Sequence, residues 1–268
     1  MNKFYIQIVL FLLSVSVYLS NKTLATEPAL GNAPKTKSKN RYATSEEIYE
    51  KNKNLLCINP EETKHAEELM NEALTHLVHH ATSKDGYKYD AEALFKDIFF
   101  YKKEHQGQNI VKAIYKKRDS NKYNELINEF WDPDIINVFD NKFAKKKITR
   151  VYNPNLVMIQ RRYRYWRFGS EKYFYALAKK AQISEDRAII VMASANINDH
   201  HPSKEEYKNT IIESANLFKT DIDSEDDIRN GQLEKKFLNI AGYLIEKKDK
   251  FVYITYIKSV RDIHILIT

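Results

Sequence analysis

From Lys146 onward the sequence has the period of a β-strand, and its links leave room only for antiparallel neighbours. KITRVY, LVMIQRRY, KYFYALAKKA, AIIVMASAN, NTIIESANLF, KFLNIAGYLIE and KFVYITYIK are seven candidate strands, rich in β-branched and aromatic residues. The links around Asn153, Asp186 and Lys248 are a few residues long, whereas a parallel crossover needs roughly a dozen or more. KYFYALAKKA is compatible with a helix by propensity, but its Tyr-Phe-Tyr opening and its neighbours favour a strand. An antiparallel run of this length must curl, and an apolar element must cover its hollow. The fold class is therefore α+β.

Upstream, the signals are helical. Thr44 and Glu47 form a capping-box pattern that starts a short helix reaching about Leu56. Asn59-Pro60-Glu61-Glu62 is a stronger start: an N-cap, a proline at the first helical position, then acids facing the helix dipole. In the helix that follows, Ala66, Leu69, Met70, Ala73, Leu74, Leu77, Val78 and Ala81 form one stripe, and residues 83–86 end it. This helix is expected to cover part of that hollow. IFFYKKEH and NIVKAIYKK read as two strands joined at Gly107. DSNKYNELINEFWDP reads as a second amphipathic helix with Tyr123, Leu126, Ile127, Phe130 and Trp131 on one face. Asp132, ahead of Pro133, stops it. A shorter helix is expected in IINVFDNKF.

The first twenty-five residues stand apart. Lys3 precedes an apolar stretch from Phe4 to Leu19 that is short for a membrane span, and Thr23-Leu24-Ala25 has the small residues a signal peptidase accepts. Residues 1–25 read as a signal peptide, and the polar, Pro- and Gly-containing residues 26–43 as a flexible linker. Loss of Lys3 and Lys22, with no acid, takes the net charge from +7 to +5. That favours anionic surfaces without requiring a polyanionic partner. Cys57 is the one cysteine, so no internal disulfide is possible and stability must come from the core of residues 44–268.

Residues that carry chemistry are few. No Gly-rich phosphate loop, GxSxG or HExxH occurs, and no catalytic set or cofactor is assigned. His76 and His80 lie one helical turn apart and could take zinc, but no third ligand is identifiable, so no metal site is assigned either. RRYRYWRFG interleaves cations with aromatics; behind a signal peptide this favours anionic membrane over nucleic acid, or else a charged strand edge. Trp131 and Asp132 read either as a core residue with a helix-stop acid, or as an indole and a carboxylate able to hold a quaternary ammonium.

ATSEEIYEKNKNLLCINPEETKHAEELMNEALTHL, YNELINEFWDPD, VYNPNLVMIQRRY, EKYFYALAKKAQIS, VMASANINDHHPS and IIESANLFKTDIDSEDDIRNG together resemble the fam-a multigene family of malaria parasites, which has a START-like lipid-transfer domain. The resemblance runs from the signal peptide to about Ser259. It implies a helix-grip fold, with a curved antiparallel sheet around a lipid tunnel closed by a C-terminal helix. It also implies phospholipid carriage, phosphatidylcholine in particular; together with the signal peptide, the expectation is a secreted monomer that touches membranes transiently and binds no nucleic acid. On the same resemblance, Asp132 of the Trp131-Asp132 pair faces the choline and Tyr173 joins its cage. Asn128 stands where the family has a phosphate-binding arginine, and the cage tryptophan falls near Gln160. Arg161 or Arg162 could supply the missing phosphate contact.

The family's lid helix should follow FVYITYIKSV, but RDIHILIT stands there with neither a cap nor the length of a lid, so the lid is expected to be missing. The leading expectation is a secreted phospholipid carrier impaired by that loss, acting in the vacuole around the parasite or in the host cell. The alternative is a non-transferring antigen or interaction module on the same scaffold.

Overall fold

The computed structural model describes residues 42–93, 98–140, 142–203 and 207–261. The expected signal peptide, most of the linker and the IHILIT tail lie outside the described residues. The chain opens with α1 (Ser45–Lys51), whose Thr44–Glu47 capping box is fully formed, and a single 3-10 turn to Leu55. Next comes α2 (Pro60–Thr82), where the Asn59 side chain accepts from the N–H groups of Glu61 and Glu62. Three strands follow: β1 (Lys88–Ala93), β2 (Ile98–His105) and β3 (Gln108–Arg118). α3 (Tyr123–Trp131) leads to β4 (Lys145–Asn153), β5 (Leu156–Tyr163), β6 (Lys172–Ser184) and β7 (Arg187–Ala193).

The short strands β8 (Asn196–Asn198) and β9 (Lys219–Asp221) pair with each other in a small separate sheet. After the single turn α4 (Asp226–Arg229) come β10 (Glu234–Lys235), β11 (Phe237–Lys248) and β12 (Phe251–Arg261).

The large sheet runs β1-β2-β3-β12-β11-β7-β6-β5-β4, antiparallel throughout, with β10 added in parallel to β6. Pairing of β3 with β12 joins the first strands to the last. Both faces of this curved sheet are apolar. On one, Leu69, Met70, Leu74 and Leu77 of α2 pack on Met158, Leu177, Ile189, Val191 and Leu244. Each leucine so buried is worth about 1.5–3 kcal/mol. On the other, Tyr123, Leu126, Ile127, Phe130 and Trp131 of α3 pack on Ile159, Phe174, Ile190, Tyr243 and Tyr256. Alternation along each strand sends neighbouring residues to opposite faces. That parity decides which candidate residues can meet.

Three expectations need correction. NTIIESANLF is not a strand: Ile211, Ile212, Ala215 and Phe218 are buried, but a 3-10 turn at Glu213–Asn216 intervenes. The Asn209 side chain accepts the backbone N–H groups of Ile211 and Ile212, giving the chain an alternative to a ladder. The described residues of IINVFDNKF form no helix: Asn137 and Asp140 side chains hold turns by accepting from Phe139 and Asn137 N–H groups. β1 was not anticipated, because KYDAEA carries little apolar signal and sits at the sheet edge.

Candidate functional site

Two cavities lie on the α3 face and share Arg161 and Met192 as a common wall. The first, about 30 Å³, is lined by Trp131, Asp140, Lys146, Ile159, Arg161 and Tyr243 among others. The second, about 80 Å³, is bounded by Phe139, Tyr163, Phe174, Tyr256 and Val260. The charges between them form one compact cluster. The Asp140 side chain, 1% exposed, takes Arg161 Nη2 at 2.9 Å and Lys146 Nζ at 2.9 Å, with each cation's side chain 11% exposed. A third donor, the Asn137 N–H, reaches the same carboxylate at 3.0 Å. Burial opposes the charge on Arg161, but Asp140 with the phenol oxygens of Tyr256, Tyr243 and Tyr163 outweighs it, and the guanidinium pKa is raised. Burial lifts the Tyr256 phenol to about 12 despite the opposing Arg161 charge.

Aromatic rings pack against one another beside the cluster. Phe139 stacks on Tyr256 with centroids 4.7 Å apart, Tyr243 stacks on Tyr256 at 5.0 Å, and Phe130 meets Tyr243 at 4.5 Å. Residues 133–140, which follow α3, thus plug the α3 face with Phe139 and tie it down through Asn137 Nδ2 donating to Tyr243 OH at 3.2 Å. Where the family resemblance implies a long tunnel, these two small cavities lie on the α3 face among the described residues.

The five residues singled out from the sequence do not converge. Trp131 and Arg161 line the same cavity. Asp132 does not: its carboxylate accepts from Ala43 N–H at 3.2 Å and Asp134 N–H at 2.9 Å, against a surface depression beside α1. It is a helix-stop acid that fastens the incoming chain. Tyr173 lies on the α2 face, its hydroxyl donating to the buried Asp199 at 3.0 Å. Arg162 also leaves the cavity side, pairing with Glu171 and Asp227. Gln160 donates to Tyr175 OH, again away from Trp131.

His76 approaches Glu72 at 3.6 Å, and His80 Nδ1 lies 3.2 Å from Tyr87 OH. Among the described residues no group of three or more His, Cys, Asp or Glu is placed to hold a metal. Asp140 and Lys146 were missed as site members. Asp140 sits in a segment read as helix, and Lys146, with Lys145, Lys147 and Arg150, reads either as a basic face toward anionic membrane or phosphate or as strand-edge charge.

A different patch lies in the β5–β6 connection. Tyr165, Trp166 and Phe168 are 61%, 59% and 79% exposed, beside Arg164 and Arg167, and Tyr165 also lines the larger cavity.

The element order and sheet define a START-like helix-grip α+β fold. Among solved structures, the chain is similar to human StAR-related lipid transfer protein 5, with a TM-score of 0.51 and 10% identity over 73% of this chain and 81% of that one. Human STARD10 matches with a TM-score of 0.46 and 12% identity over 71% of this chain and 66% of that one, slightly less than two thirds of its length. No family model and no curated protein matches the sequence.

Proposed function

We propose that this chain is a secreted lipid carrier of the fam-a type that takes a phospholipid on its α3 face and exchanges it with membranes. The observation that carries the reading is a buried charge cluster, Arg161–Asp140–Lys146, set in an otherwise apolar and aromatic wall of a START-like sheet. Acyl chains gain about 0.8 kcal/mol per CH₂ removed from water, so such a wall suits them, while Arg161 supplies the phosphate contact.

Cavities of about 30 and 80 Å³ are far below the roughly 300–1,000 Å³ of ordinary ligand pockets. A lipid must therefore displace residues 133–140 and unseat Phe139. Membrane contact falls to the exposed Tyr165, Trp166 and Phe168 with their arginines, since amphipathic rings and cations suit an anionic interface. Phosphatidylcholine would place its phosphate at Arg161, but Asp132 is already engaged by backbone N–H groups and does not face the cavity.

The small cavities also favour a second reading, a non-transferring interaction module that keeps the scaffold and no longer opens. Transfer of labelled phospholipid between donor and acceptor vesicles separates the two. Transfer above a protein-free control, lost in Arg161→Gln, supports carriage. A folded protein with no transfer supports the module.

A further inference from the structure

We propose that the headgroup this site selects is an oxyanion without an attached cation, a phosphate monoester or a carboxylate, rather than a choline phosphate. The inference rests on the lipid-carrying reading above and names the ligand class within it. Among the described residues, two donors in the cavity wall have no acceptor: the indole Nε1 of Trp131, a residue 7% exposed, and Nε of Arg161 are both buried and unpartnered. The carboxylate in that wall, Asp140, is already filled by Arg161, Lys146 and the Asn137 N–H. Among the described residues no other carboxylate lines either cavity. The cluster therefore holds two cations against one anion, out of water.

Uncompensated buried charge and unpaired buried donors are each costly, and an oxyanion with several lone pairs answers both. A quaternary ammonium answers neither, because it brings a further positive charge and accepts no hydrogen bond. It also lacks its usual seat. The Lys180 ammonium stands over the Trp131 ring, 5.8 Å from its centroid, where a choline would make its cation–π contact. Because Arg161 borders both cavities, a headgroup on it leaves the aromatic wall of either one for the acyl chain.

The test is equilibrium binding of the purified chain to fluorescent phosphatidic acid and fluorescent phosphatidylcholine with identical acyl chains. Oleate and soluble glycerol 3-phosphate serve as competitors. Phosphatidic acid is expected to bind about tenfold or more tightly than phosphatidylcholine, as one charge-assisted contact implies. Oleate should compete and glycerol 3-phosphate should not. Arg161→Gln should remove the preference and Arg161→Lys should retain part of it. Trp131→Phe, which keeps the ring and removes the N–H, guards against a folding defect at Arg161 and should narrow the preference.

Equal affinities, or tighter phosphatidylcholine, overturn the inference and leave carriage standing. Binding of neither lipid overturns both. Competition by glycerol 3-phosphate as strong as by phosphatidic acid assigns the site to a free phosphate and overturns the lipid headgroup.

Discussion

Phe139→Ala should make the protein less stable and a better lipid binder at once. Its ring stacks on Tyr256 at 4.7 Å and lies 5.9 Å from Tyr243, 6.2 Å from Phe130 and 6.3 Å from Tyr115, closing the larger cavity. Truncating a fully buried phenylalanine costs about 3–5 kcal/mol, and the partial exposure of Phe139 brings this to about 2–3 kcal/mol. For a chain of this size that lowers Tm by about 4–12 °C. A lipid that unseats Phe139 spends that same energy in the wild type and not in the variant.

Lipid at a hundred times its Kd stabilises a protein by about 2.7 kcal/mol, so any gain in affinity appears as a larger upward shift of Tm. Differential scanning fluorimetry with and without phosphatidic acid vesicles measures both effects. A variant whose lipid-free Tm falls while its lipid-induced shift equals or undercuts that of the wild type would refute the plug.

Other expectations concern the frame and the surfaces. A Cβ on Gly242 would stand 2.2 Å from the Ile190 carbonyl oxygen and 2.9 Å from Val191 Cα, so Gly242→Ala must push β7 and β11 apart; a loss of about 4 kcal/mol or more is expected in urea unfolding. Burial first, then the charges of His79, His76, His105 and Lys103, lower His80 to about 3 from an ordinary 6.5. Native stability from its neutral form is thus whole above pH 6.5 and drains as pH falls toward 3, by about 2 kcal/mol at pH 5, and His80→Gln should flatten that slope in acid titrations followed by circular dichroism.

Asp132→Ala should cost about 1–2 kcal/mol through its two lost backbone contacts while leaving phospholipid transfer unchanged. Trp166→Ala should leave the melting curve alone and weaken sedimentation with anionic vesicles by roughly tenfold or more, since an exposed ring buries only in the lipid interface.

Local chemistry was legible where one residue type dictates one backbone. The Thr44–Glu47 box, the Asn59-Pro60 start, the α2 stripe and the Asp132 stop all fall where capping rules put them. Sheet order around Asn153, Asp186 and Lys248 followed from link length. Facing was not legible in β5 and β6, because both faces of these strands are buried and polarity no longer alternates. Arg161 and Arg162 look alike in the sequence, yet one sits in the charge cluster and the other pairs with Glu171 and Asp227 on the opposite face. Tyr173 was separated from Trp131 by the same parity. Apolar runs such as Asn209–Phe218 misled for a further reason: side-chain acceptors from Asn209 satisfied the backbone locally, which composition does not reveal.

The central claim is that the α3 face opens to hold one lipid on Arg161. Native mass spectrometry of the purified chain after incubation with phospholipid vesicles tests it most directly. The account calls for a species heavier by one phospholipid, absent in Arg161→Gln and enriched in Phe139→Ala. A protein that stays at its own mass in all three forms, while folded and monodisperse, would contradict it.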